Sequence, residues 1–74
     1  MSAMSDIQTE LELNWSQPAP YGAYFHVSGK WWIRRYNTRF QLFWDADGEV
    51  EHVMTTPHIE TAVHYVSLVE SQQV

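Results

Sequence analysis

The sequence predicts an α+β fold: an antiparallel three- to four-stranded β-meander with one C-terminal α-helix packed on one face. Tight-turn signals divide residues 23–55 into short segments rich in aromatic and β-branched residues, which favour strands. After Pro57 the apolar period changes from two residues to about 3.6, as in an amphipathic helix. A chain of 74 residues allows one small domain.

The domain is predicted to span 11–74, after a flexible N-terminal tail at 1–10 that is polar and without period. An extra strand is expected near 11–15, because apolar and polar residues alternate there. Two prolines within 16–20 then break the ladder, since proline has no N–H to donate.

Turn signals at 28–30, 37–38 and 46–48 predict three tight hairpin connections. The second signal lacks the glycine that the other two contain. The segments that these turns separate are 23–27, 31–36, 39–45 and 49–54.

The C-terminal helix is expected to begin with Thr56 as N-cap and Pro57 at the first helical position. It is expected to fray near Glu70, and Leu68 on its polar side is expected to be either an exposed apolar residue or a contact. Its apolar stripe consists of Ile59, Ala62, Val63, Val66 and Val69.

The lengths of the loops determine on which face of the sheet each strand residue lies, because a register shift of one residue moves every side chain of a strand to the opposite face. We take two residues in the loop at 37–38, and three each at 28–30 and 46–48. His52 then lies on the inner face, where a polar side chain is out of place. The apolar residues of this inner face, under the helix stripe, are Phe25, Val27, Trp31, Ile33, Phe40, Leu42, Trp44, Val50 and Met54.

The opposite, outer face is unusually aromatic for a solvent-facing surface. It collects Tyr24, His26, Trp32, Arg34, Tyr36, Arg39, Gln41, Phe43, Glu51 and Val53. Tyr, Trp and Arg are enriched at binding hot spots, and contiguous exposed apolar patches mark interaction sites. The predicted partner-binding residues are Trp32, Arg34, Tyr36, Arg39, Phe43 and Tyr24.

The sequence leaves three alternatives for what covers this face. Residues 11–15 could fold across it or pair beside segment 23–27. A second copy of the chain could cover it as a homodimer. A foreign partner could bind it.

Charge favours a protein as the foreign partner. The net charge is −5, and all four basic residues lie within 30–39. Nucleic-acid binders usually carry net positive charge, because phosphate neutralisation supplies much of their affinity. The alternative is a nucleic-acid-binding module that uses the basic-aromatic strand 30–39, which resembles a single-strand stacking platform in composition.

No pattern indicates catalysis, a metal site or a cofactor. The absence of cysteine excludes disulfides, thiolate zinc sites and thiol nucleophiles. His58 and His64 are six residues apart, so on a helix they point in different directions. The acidic segment 45–51 lacks the ligand spacing of a calcium loop. We therefore expect no enzyme.

Neither a transmembrane run nor a signal-peptide core is present in the sequence, so we expect a cytoplasmic protein that does not bind membranes. The predicted function is that of a non-enzymatic protein-binding regulator or inhibitor. Its small size and acidity associate it with proteins of phages and mobile elements that disable host machinery.

Overall fold

The computed structural model of the protein describes residues 3–18 and 22–72. The chain forms an antiparallel five-stranded meander of order β1-β2-β3-β4-β5 with helices at both ends. The predicted α+β class and C-terminal helix are confirmed, and the strand count is five rather than three or four. The elements are α1 (Ala3–Asn14), β1 (Trp15–Ser16), β2 (Tyr24–His26), β3 (Trp31–Tyr36), β4 (Arg39–Ala46), β5 (Glu49–Thr56) and α2 (Ile59–Ser71).

The N-terminal segment is where the structure differs most from the prediction. Helix α1 occupies the place of the expected tail and of most of the expected strand near 11–15. Leu11 and Trp15 are four residues apart and contact the core, whereas Leu13 is 70% exposed. Residues two apart on a helix point about 200° apart, which explains why Leu13 does not share the environment of Leu11, whereas Trp15 reaches the core as the first residue of β1. Residues 1–2, 19–21 and 73–74 lie outside the described residues. They include the start of the predicted tail and part of the proline-containing segment 16–20.

Strand β1 is short, and it pairs with β2 as one of the alternatives predicted. Trp15 lies opposite His26, and Ser16 lies opposite Phe25. The Val27 amide donates to the Asn14 carbonyl oxygen at 2.8 Å, which ties the end of α1 to the sheet.

The β3–β4 hairpin has the predicted register along its whole length. All six pairs, from Tyr36 opposite Arg39 to Trp31 opposite Trp44, follow from a two-residue loop. Asn37 supplies the positive φ of 56° that this turn needs, a conformation that asparagine adopts more readily than most residues.

The β2–β3 register differs from the prediction by one residue. Tyr24, not Phe25, lies opposite Ile33, and Phe25 lies opposite Trp32. The connecting loop therefore has four residues, 27–30, instead of three. The Ser28 amide donates to His26 Nδ1 at 3.2 Å inside this loop, and the Lys30 amide donates to Ser28 Oγ at 3.2 Å.

The β4–β5 hairpin also differs, at its turn. The loop is the two-residue pair Asp47-Gly48, with φ values of 55° and 92°, as in a type I′ turn. The Gly48 amide donates to Asp45 Oδ1 at 2.9 Å. Val50 consequently lies opposite Asp45 rather than Trp44. It is 54% exposed, so its predicted core position is wrong.

A β-bulge between Leu42 and Phe43 changes the register again further along β5. His52 lies opposite Phe43, and Met54 lies opposite Leu42. The extra residue at the bulge is Val53, which packs with Met54 against the core. The bulge thus leaves His52 on the outer face while it keeps Met54 on the inner face.

The core lies between the inner sheet face and α2. Ile33 and Leu42 are fully buried against Val63 and Val66, and the predicted helix stripe is confirmed. The helix begins two residues later than expected, after His58. Thr56 is buried, and its Oγ accepts a hydrogen bond from the His58 amide at 3.2 Å.

Candidate binding surface

The outer face carries a continuous row of aromatic side chains across four strands. Phe25 lies opposite Trp32, Trp32 opposite Phe43, and Phe43 opposite His52. We call these four residues the aromatic row. Side chains directly opposite on neighbouring strands are close enough to touch, so the row forms one ridge perpendicular to the strands.

The centre of the aromatic row is a stacked pair of rings. The centroids of Trp32 and Phe43 are 4.3 Å apart, and their planes differ by 15°. His52 continues the contact, with its ring centroid 5.3 Å from that of Phe43. The stacked Trp32 and Phe43 side chains are both partly buried.

Arg34 is held beside the row by three interactions. Its Nε donates to Gln41 Oε1 at 2.7 Å. Its guanidinium carbon lies 5.1 Å from the Phe43 ring centroid and 5.7 Å from that of Tyr36. These are cation–π distances, so the guanidinium is fixed over the aromatic surface while it stays exposed. Arg39 lies opposite Tyr36 at the end of the hairpin and is also exposed.

The structure places five of the six predicted partner-binding residues together on the outer face: Trp32, Arg34, Tyr36, Arg39 and Phe43. The sixth, Tyr24, is on the other side, where it packs against the core. Its pairing with Ile33 is the reason.

Phe25 and His52 were missed as members of this surface. They reach it because the β2–β3 loop is longer, and the β4–β5 loop shorter, than the sequence suggested. The same changes move His26 and Glu51 to the inner side, opposite Trp15 and Trp44 respectively. The signal that could have placed His52 was its polarity, which was already out of place on the inner face.

Residues 11–15 do not cover the aromatic row. Leu11 and Trp15 contact the core on the inner side of the sheet. Phe25 is 45% exposed and Tyr36 is 54% exposed. Within the described part of the chain, the outer face is therefore open to solvent.

Charge is divided between the two ends of the sheet. The β3–β4 turn is flanked by Arg34, Arg35 and Arg39, and the β4–β5 turn by acidic residues. The eight residues of β4 separate these ends by about 25 Å, at about 3.3 Å per residue. The acidic residues are Asp45, Asp47, Glu49 and Glu51.

Only two of the four basic residues share the outer face with the aromatic row. Arg34 and Arg39 do, whereas Arg35 pairs with Phe40 and lies over that ring at 5.4 Å. Lys30 is in the 27–30 loop near the acidic end, where its carbonyl oxygen accepts from the Asp45 amide at 2.7 Å. The basic residues of the basic-aromatic strand 30–39 thus lie on different surfaces of the protein.

The pKa of His26 is perturbed. Burial lowers the pKa of this imidazole below its usual value, and the nearby carboxylates of Glu70 and Glu10 oppose the shift without cancelling it. The ring packs edge-on against Trp15, with centroids 4.9 Å apart. Its Nδ1 accepts from the Ser28 amide, which is the pattern of a neutral imidazole.

Within residues 3–18 and 22–72, no group of three or more His, Asp or Glu side chains is placed to hold a metal ion. In the same part of the chain, no helix is both long enough and apolar enough to cross a membrane. Comparison of the chain with protein-family models, curated proteins and solved structures finds no match.

Proposed function

We propose that this chain is a non-enzymatic binding protein that recognises another protein through the outer face of its sheet and acts as a small regulator or inhibitor. The observation that carries the proposal is the aromatic row, which is open to solvent beside Arg34. Aromatic and Arg side chains dominate binding energy at protein interfaces.

The geometry of the row suits binding with a low entropic cost. Trp32 and Phe43 are stacked, and Arg34 is fixed by Gln41 before any partner arrives. Ordering a free side chain at an interface costs about 0.5–1.5 kcal/mol, and pre-ordered side chains avoid much of this cost. The three residues would serve as central anchors, with Phe25 replacing Tyr24 at the edge of the surface.

A nucleic acid is the second candidate partner, and the geometry supports it less. Single-strand platforms offer ring faces on which bases stack. Here one face each of Trp32 and Phe43 is taken by the other ring, and Arg34 lies over Phe43. The net charge of −5 and the separation of Lys30 and Arg35 from the aromatic row further weaken attraction to phosphates.

The test is affinity capture from a lysate of the source organism, with the wild-type chain and Trp32→Ala as baits. The wild-type chain is expected to retain a protein that Trp32→Ala loses, since a hot-spot truncation costs about 2–4 kcal/mol of binding. Nuclease treatment is expected to leave the capture unchanged. Leu13→Ala is the matched control, because Leu13 is an exposed apolar residue on α1.

Two results would contradict the proposal. Equal capture by wild type and Trp32→Ala would place the binding surface elsewhere. Loss of capture on nuclease treatment would favour the nucleic-acid alternative, which should also show a steep decrease of affinity with added salt.

A further inference from the structure

A second feature lies on the inner side of the sheet, at its β5 edge. Helix α2 leaves an open cavity of about 340 Å³ beside β4 and β5. Three aromatic side chains, Trp31, Trp44 and Tyr65, line it together with Glu51. This volume is within the range of small-molecule sites, about 300–1,000 Å³.

The three rings form a corner in which Trp31, only 5% exposed, packs against Trp44 and Tyr65. The Trp31 centroid is 6.1 Å from that of Trp44 and 6.1 Å from that of Tyr65. The Trp31 plane makes angles of 35° with Trp44 and 79° with Tyr65, so the walls face different directions. Trp31 is fixed by the hydrogen bond from its Nε1 to Glu70 Oε1 at 2.7 Å. Tyr65 is 38% exposed, at the open side.

The charge at this corner is negative. Glu51 lies opposite Trp44 on the inner face, and Glu49 lies opposite Ala46 one step nearer the turn. Both carboxylate residues, with Trp44, line a smaller adjoining cavity of about 270 Å³. The rings and the carboxylates therefore attract the same kind of ligand, because an aromatic face also presents negative potential.

We propose that this corner is a binding site for a methylated ammonium group. Such a group carries positive charge on an apolar surface, so it can exchange water for aromatic rings at little cost. A neutral apolar ligand would gain nothing from Glu51, and an anion would be repelled. The head group could belong to a free small molecule such as choline or to a trimethylated lysine side chain, which share this chemistry.

The site is independent of the proposed function. The centre of the aromatic row lies on the opposite face of the sheet, and neither Trp32 nor Arg34 lines the cavity. His52, at the β5 end of the row, is the one residue of the row that also lines the cavity, and neither proposal rests on it. Failure of one proposal therefore leaves the other standing.

The test is an NMR titration of the full chain with choline, observed through the indole N–H signals. The neutral analogue that carries a tert-butyl group in place of trimethylammonium is titrated in parallel. Choline is expected to shift the Trp31 and Trp44 signals and not that of Trp32, and the neutral analogue to bind at least several-fold more weakly. A peptide with trimethyllysine, and the same peptide with unmodified lysine, distinguish the two sources of the head group.

Two substitutions assign the contacts. Tyr65→Leu and Glu51→Gln are each expected to weaken binding about two- to fivefold, as loss of one exposed cation–π or charge contact implies. Tyr36→Leu on the outer face and Glu12→Gln on α1 are the matched controls and should bind as the wild type does. Circular dichroism of each variant establishes that it is folded.

The proposal is overturned if neither choline nor the trimethyllysine peptide shifts the Trp31 and Trp44 signals. It is equally overturned if the neutral analogue binds as tightly as choline, or if folded Glu51→Gln and Tyr65→Leu both bind as the wild type does.

Discussion

The two faces of the sheet are both rich in aromatic residues, yet they have opposite environments. On the inner face, Ile33 and Leu42 are fully buried under α2, whereas Phe25 and Tyr36 on the outer face are about half exposed. The environments differ because α2, through its stripe of small and β-branched residues, packs on the inner face alone. Apolar composition therefore does not identify the core of this protein. The position of the helix does.

The largest expected effect of a substitution is on the inner face. Leu42→Ala removes a fully buried side chain at the centre of the core and leaves a cavity. We expect a loss of about 2–5 kcal/mol in the free energy of unfolding, measured by urea denaturation. In a chain of 74 residues, a loss of this size is a large part of the total stability.

Phe25→Ala is the matched substitution on the outer face. Phe25 is larger than Leu42 but 45% exposed, so its truncation should cost about 1 kcal/mol or less. A loss as large as that of Leu42→Ala would mean that the outer face is part of the folding core, which would contradict the distinction between the faces.

A smaller effect is expected from the titration of His26 on the inner side. The unfolded chain takes up this proton near pH 6.5, whereas the folded protein does so only at lower pH. The stability that neutral His26 contributes is complete above about pH 6.5 and is lost as the pH falls through the folded-state pKa. Thermal unfolding from about pH 7.5 to about pH 5 measures this loss.

His26→Gln is expected to reduce this pH dependence, and Leu13→Ala, which truncates an exposed apolar residue without changing a titratable group, is expected to leave it unchanged. An unchanged pH profile in His26→Gln would show that burial of the imidazole does not couple its titration to folding.

The similar composition of the two faces also explains which parts of the structure could be predicted from the sequence. The β3–β4 register was correct because both strands are long and a two-residue loop fixes all six pairs. The β2–β3 register was wrong by one residue, and the β4–β5 register by one residue before the bulge and by two beyond it. Aromatic residues occupy both faces, so the choice of face for Tyr24 or Phe25 changes the apolar content of either face very little. The alternation of residue types therefore could not correct an error in loop length.

Helix α1 was missed for a related reason. The alternation of Leu11, Leu13 and Trp15 fits a strand, but Leu11 and Leu13 equally fit the end of a helix in which Leu13 is exposed and which Trp15 follows. The choice between the two is made by tertiary contacts, since Leu11 and Trp15 complete the core beside α2. The candidate surface was predictable to the extent that it lies on β3 and β4. The positions of Phe25 and His52, at the two ends of the aromatic row, depend on loop lengths that the sequence did not predict.

The central claim is that the aromatic row is kept open for a foreign protein. Light scattering across a concentration series, on the wild-type chain and on Trp32→Ala, tests it most directly. We expect the mass of a monomer at every concentration for both proteins. A dimer that forms with concentration in the wild type and dissociates in Trp32→Ala would contradict the claim, because the row would then be the contact between two copies of this chain.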